Sequence, residues 1–116
     1  MRLTADLKRK MAVNVARGVR WLDKEHPAWY NNVDLRSLDM EAGGHCILGQ
    51  CFGEFWGALD KFKKPGDNKW AARHGFNVPN ADVDRVPNGA YEYLGLLWAP
   101  PVATRQVKAA QPVEES

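Results

Sequence analysis

Cys46 follows Gly43-Gly44-His45 at the head of a segment with helical periodicity. Free amides and the helix dipole there would lower a thiol pKa and make a nucleophile. His45 is its immediate chain neighbour, however, and would have to fold back to act as a base. The same atoms suggest zinc, because His45, Cys46 and Cys51 with His26 or His74 make a four-ligand set. On one ideal helix the side chains at 46 and 51 diverge by about 140°, so one of them would have to precede the helix proper. Asp34, Asp39 and Glu41 form a third constellation, carboxylates of the kind that do acid–base work. Asp34 reads better as the cap of a short turn over Leu35 to Asp39, with Asp39 and Glu41 as its solvated end. Structural roles thus outweigh chemistry, and no catalytic residue, metal set or cofactor is assigned.

The elements that would position these residues are helical. Thr4 can cap a helix with Asp6 in its first turn, and Leu7, Met11, Val15, Val19 and Leu22 recur at helical spacing over an arc of about 120°. Pro27 ends that helix by His26. Residues 27–45 read as an irregular connection with one helical turn, turning Val33, Leu38 and Met40 inward. Cys46 to Phe62 then reads as one central helix with Ile47, Cys51, Phe52, Phe55, Trp56 and Leu59 on its core side, stopped by Lys63-Lys64-Pro65-Gly66. Asp67 or Asn68 caps a short helix over Lys69 to His74, closed by Gly75. Residues 77–88 are a loop. A last helix over Gly89 to Ala99 presents Tyr91, Leu94 and Trp98 and ends at Pro100-Pro101.

There are no repeats and no alternating runs of β type. The fold predicted is therefore all-α, a small bundle of three main helices with short helical turns, irregular loops and a mobile C-terminal tail. Residues 1–100 make a single helical domain, and 101–116 a flexible tail without apolar periodicity.

Charge is segmental. Residues 1–26 carry seven Lys/Arg against three acids, whereas 27–60 carry one against five, within a formal net charge of +2. On the first helix Arg9, Lys10, Arg17, Arg20 and Lys24 line a strip opposite the apolar stripe, with Trp21 on its border. Such a strip can neutralise phosphates, or simply face solvent. Gly49, Gly53 and Gly57 recur every four residues and predict a smooth flank for close helix approach, within the chain or between two copies. Trp21 and Trp29 are the tryptophans to weigh as interface residues. Two cysteines five apart within one helix would not pair without distorting it, so both read as free thiols in a reducing compartment. No run approaches the length of a membrane span.

Arg17-Gly18-Val19 with Leu22-Asp23, Trp29, Asp34-Leu35 with Leu38-Asp39-Met40, Cys46-Ile47-Leu48-Gly49-Gln50 with Phe52-Gly53, and Gly75-Phe76 together resemble small accessory proteins of unknown function from tailed bacteriophages of actinobacteria. The resemblance spans Arg17 to Phe76 and brings no catalytic residues. It implies a protein in the cytoplasm of an infected bacterial host, beside host proteins and phage DNA. The expectation is a non-enzymatic accessory protein that binds a host protein. Its contact residues would be Arg9, Lys10, Arg17, Arg20, Trp21 and Lys24 on the first helix and Gly49, Gly53 and Gly57 on the second. The alternative is a nucleic-acid binder using the basic face of the first helix, and a third reading is thiol- or zinc-dependent activity at His45/Cys46. A homodimer through the glycine flank and the absence of a membrane role complete the expected partners.

Overall fold

The computed structural model describes residues 2–81 and 85–111. Among them the order is α1 (Ala5–Glu25), a 3-10 turn (Trp29–Asn32), α2 (Ile47–Phe52), α3 (Phe55–Lys61), α4 (Asn68–Arg73) and α5 (Ala90–Ala110), with no strand. The all-α fold expected from the sequence is the fold observed. Two 21-residue helices, α1 and α5, pack against each other. The three short helices lie on them, with Met11, Leu22, Ile47, Leu48, Leu59, Leu94 and Trp98 fully buried between.

α1 forms where its pattern requires. The Thr4 hydroxyl accepts from Leu7 N at 3.1 Å, which satisfies one of the four free amides of the first turn. Its apolar stripe is interrupted by Gly18, for a reason visible only in three dimensions. A methyl group there would stand 1.8 Å from the carbonyl oxygen of His74. α4 ends directly against α1 at this glycine. Gly75, at φ 72°, turns the chain away, and the Trp98 indole donates to Gly75 O at 2.6 Å. Gly18, Gly75 and Trp98 thus form the node where α1, α4 and α5 meet.

The central helix expected over Cys46 to Phe62 is two helices. Gly53 takes φ 99°, and the extended Glu54 then caps α3 by accepting from Gly57 N at 3.0 Å. The break lets Phe55 N donate to Gly43 O at 2.9 Å, a contact a continuous helix would forbid. It also resets the helical phase. Trp56, expected in the core, stands 50% exposed, while Ala58 is buried beside Leu59. Cys51, Phe52, Leu7 and Tyr91, also expected inside, are only half-buried.

The last helix does not end at Pro100-Pro101 but continues to Ala110. Each proline removes an amide and leaves a carbonyl one turn back without its usual donor, a cost of about 3 kcal/mol or more in a free helix. Three contacts offset it. Val102 is fully buried, Arg105 donates to both carboxylate oxygens of Asp23, and Gln106 Nε2 donates to Tyr30 O and Val33 O. The domain therefore extends past residue 100. Of the tail expected over 101–116, residues 101–110 are helix, and 112–116 lie outside the described residues.

The 27–45 connection is held by two amide side chains from the helices. Gln106 ties its start, as above. Gln50 accepts from Asp34 N at 2.6 Å and donates to Asp34 O and His45 O. Asp34 caps its turn as expected, accepting from Arg36 N and the Ser37 hydroxyl.

Candidate functional site: an acid-edged apolar trough

The short segment from Leu35 to Glu41, fixed by Gln50, lies alongside the first half of α5. Between them runs an open trough of about 550 Å³, lined by Leu35, Leu38 and Met40 on one side and by Tyr91, Gly95, Leu96 and Ala99 on the other. Tyr91, Gly95 and Ala99 succeed one another every four residues, and Glu92 and Leu96 form the adjoining row, so a single face of α5 supplies this wall. Met40, Glu41 and Tyr91 also line a second, neighbouring hollow of about 190 Å³, whose walls include Phe55 and Trp56. Of the four exposed large apolar side chains among the described residues, Leu96 at 69% lines the trough and Trp56 at 50% lines the second hollow, while Val13 and Val107 line neither.

Its edges are acidic. Asp39, Glu41 and Glu92 all line it, and none is in an ion pair among the described residues. Asp39 accepts from Glu41 N at 3.0 Å, which fixes the local turn. Burial first, and then the Glu41 charge, hold the Tyr91 phenol above its ordinary pKa.

The residues singled out from the sequence fall elsewhere. Arg9 pairs with Asp6 within α1. Arg17 serves the fold, donating to Arg73 O at 2.7 Å and to Asn14 Oδ1 at 3.2 Å. Lys10, Arg20 and Lys24 are exposed cations; Arg20 lies beside a shallow hollow of about 390 Å³ on the α1–α5 seam, with Leu97, Pro101 and Arg105. Trp21 is half-buried in an aromatic cluster, its ring 4.8 Å from Phe62 and 5.0 Å from Trp70. Trp29 is buried, donating to Asp23 Oδ1.

The glycine flank does not exist as one surface. Gly49 is buried, with room for no methyl group because Gly43 O would lie 2.2 Å from it. Gly53 is the break between α2 and α3, and Gly57 sits on α3 beside Glu54. Their four-residue spacing is a coincidence of a cap, a turn and a close contact, so the homodimer through that flank loses its basis.

Cys46 does precede its helix, as the N-cap of α2, but its sulfur is spent on structure. Sγ accepts from Gly49 N at 3.2 Å, and burial pushes the thiol pKa up rather than down. Cys51 donates to Trp29 O and is pushed up to about 12 by burial. Both are free thiols, and neither is poised as a nucleophile. His45 is exposed, whereas His26 packs against Phe52 at 4.9 Å and His74 stacks on Trp70 at 4.2 Å. Among the described residues no group of three or more His, Cys, Asp or Glu side chains is placed to hold a metal ion, so the four-ligand set is not assembled. No described helix is long and apolar enough to cross a membrane. Comparison with protein-family models, with curated proteins and with solved structures yields no match to this chain.

Proposed function

We propose that this chain is a non-enzymatic accessory protein that acts by binding another protein, and that the trough beside α5 is where it does so. The observation that carries the reading is the pair of neighbouring hollows that share Met40, Glu41 and Tyr91, with the exposed Leu96 in the wall of one and the exposed Trp56 in the wall of the other. Protein surfaces that stay unpartnered seldom concentrate large apolar side chains around one concavity. The resemblance of Arg17 to Phe76 to actinobacteriophage accessory proteins supplies the context, in which the partner is a host protein in the infected cell.

The test is copurification of the tagged full chain from an actinobacterial host, with nuclease treatment, beside Leu96→Asp and Trp56→Asp variants. Both positions are exposed, so the fold should survive. A stoichiometric protein that resists nuclease and disappears with either variant supports the reading. A partner indifferent to both refutes this placement of the site.

One observation favours a nucleic-acid reading as the second. The charges of Arg17, Arg73 and Lys64 all bear on His74, beside the half-buried Trp21 and Trp70 rings, an arrangement of cations around aromatics suited to phosphates and bases. Changing Lys64 and Arg73 to Gln leaves the Arg17 contacts intact, because Arg17 donates to the Arg73 backbone carbonyl. On this reading the change should lower DNA affinity and flatten its salt dependence; unchanged binding would exclude this cluster as the contact.

A further inference from the structure

We infer that the occupant of the trough is an amphipathic helix bearing Lys or Arg beside its apolar stripe, an assignment that rests on the protein-binding reading above and gives the partner its chemistry. Secondary structure comes first. Both walls offer side chains rather than an open strand edge, and the described residues contain no strand for an extended peptide to join. An apolar trough of this kind takes a helix laid in lengthwise. From Tyr91 to Ala99 the wall runs about 12 Å, two helical turns.

Charge comes second. Asp39, Glu41 and Glu92 edge the apolar floor, and no Lys or Arg lines either hollow. A docked helix would meet three carboxylates. Cations flanking its apolar stripe complement them, whereas an acidic helix would be repelled.

The third argument is Gly95. It lies inside α5 with no positive φ, and a methyl group there would meet only Met40 Cγ, at 3.8 Å, an ordinary contact. Neither backbone nor packing needs a glycine at this position, although helix propensity disfavours one there. A bare patch in the floor lets the backbone of an incoming helix approach closely.

The experiment uses the full-length chain and two dye-labelled synthetic helices of about four turns with the same leucine stripe. One is flanked by lysines and the other by glutamates; binding is read by fluorescence anisotropy. The lysine probe should bind about tenfold or more tighter than the glutamate probe, and that preference should shrink with salt. Glu41→Lys with Glu92→Lys should reverse it, while Glu25→Lys, an exposed charge reversal at the end of α1 that lines neither hollow, should leave it in place. Gly95→Leu fills the floor and should weaken the lysine probe at least about tenfold, with circular dichroism showing that the fold is kept. The charge-reversal variants carry the test should that one unfold.

Equal binding of the two probes, binding of neither, or a Glu25→Lys effect as large as that of the double variant would overturn the inference. A copurified partner lost on Leu96→Asp but unaffected by the Glu41/Glu92 reversal would keep the protein-binding reading and discard the cationic helix. A partner indifferent to all of these changes would discard both.

Discussion

Gly18 and Gly95 are both mid-helix glycines, and the same replacement by alanine should move stability in opposite directions. At Gly18 the gain in helix propensity is about 1 kcal/mol. Against it stands a methyl group 1.8 Å from His74 O, 2.9 Å from His74 C and 3.2 Å from the Trp98 ring. The first two are backbone atoms, so α4 has to move away from α1 by well over an ångström. Overpacking of this kind costs about 1–3 kcal/mol or more. Displacing Gly75 also endangers the hydrogen bond from the fully buried Trp98 indole, whose loss would add about 1–3 kcal/mol. The net expectation for Gly18→Ala is destabilisation by about 2–4 kcal/mol, which corresponds to a fall in Tm of about 10–20 °C for a chain of this size. For Gly95→Ala the nearest non-neighbouring atom is at 3.8 Å, and the expectation is a gain of about 0.5–1 kcal/mol, or a few degrees. Calorimetric or circular-dichroism melts of both variants beside the parent decide the matter. A rise in Tm for Gly18→Ala would refute the α1–α4 contact as described, and a marked fall for Gly95→Ala would mean that the trough floor is already occupied by the chain's own atoms.

Arg105→Met should cost about 1 kcal/mol near neutral pH, a value kept low because Asp23 and Arg105 are partly solvated. The Arg105 hydrogen bond first, then that from Trp29 and the Arg105 charge, hold the Asp23 carboxyl below its ordinary pKa against the opposing effect of burial. This stabilisation is present above the unfolded value near about 3.9 and is lost as pH falls through the lower native one, so parent and variant urea curves should converge in acid. His74 titrates in the other sense. Burial first, and then the charges of Arg17, Arg73 and Lys64, depress its pKa despite the hydrogen bond to Trp70 O. Below about pH 6.5 the unfolded chain therefore takes up a proton that the fold resists, and stability falls. His74→Phe keeps the stack on Trp70 and should remove that drop; an unchanged pH profile would show that the ring is solvated. Finally, a colourless disulfide reagent that reports free thiols should react slowly with Cys46 of the native chain and rapidly with both cysteines in denaturant, whereas fast native labelling of both thiols would contradict the buried Cys46 cap.

How much of this was legible in the sequence depends on whether the signal was local. The α1 boundaries, the Asp34 cap and the turn at Gly75 are all local, and the structure has them where the residue pattern puts them; of the two caps offered for the next helix, Asp67 and Asn68, it uses Asp67. Two features escaped because a distant contact overrode a local rule. Proline stops a helix unless something holds the far side, and here Asp23, 82 residues from Arg105, does so. Gly53 looked like one of three equivalent glycines, yet its positive φ is set by the need of Phe55 N to reach Gly43 O. Gly18 did leave a trace, a glycine in the middle of an apolar stripe, which is the mark of a close backbone approach.

The trough escaped for a different reason, which also bears on what it is for. Helical periodicity assigns each apolar residue to an inside, and it has no means of showing that one inside lacks a cover. Tyr91 and Leu38 are turned toward the molecule as their spacing requires, but the element that would bury them fully is missing among the described residues, and both remain half-exposed. Leu96, one residue beyond the Gly95 floor, is more exposed still. α1 and the short helices are already committed to the node at Gly18 and to the buried faces of α2 and α3, so no described helix is free to cover this wall. A chain that needed only to fold could have placed alanine at 95 and polar residues at 38 and 96 without disturbing any hydrogen bond of the described structure. The apolar residues, the glycine and carboxylates that have no ion pair among the described residues all border one trough, and the partner helix proposed above would use all three together.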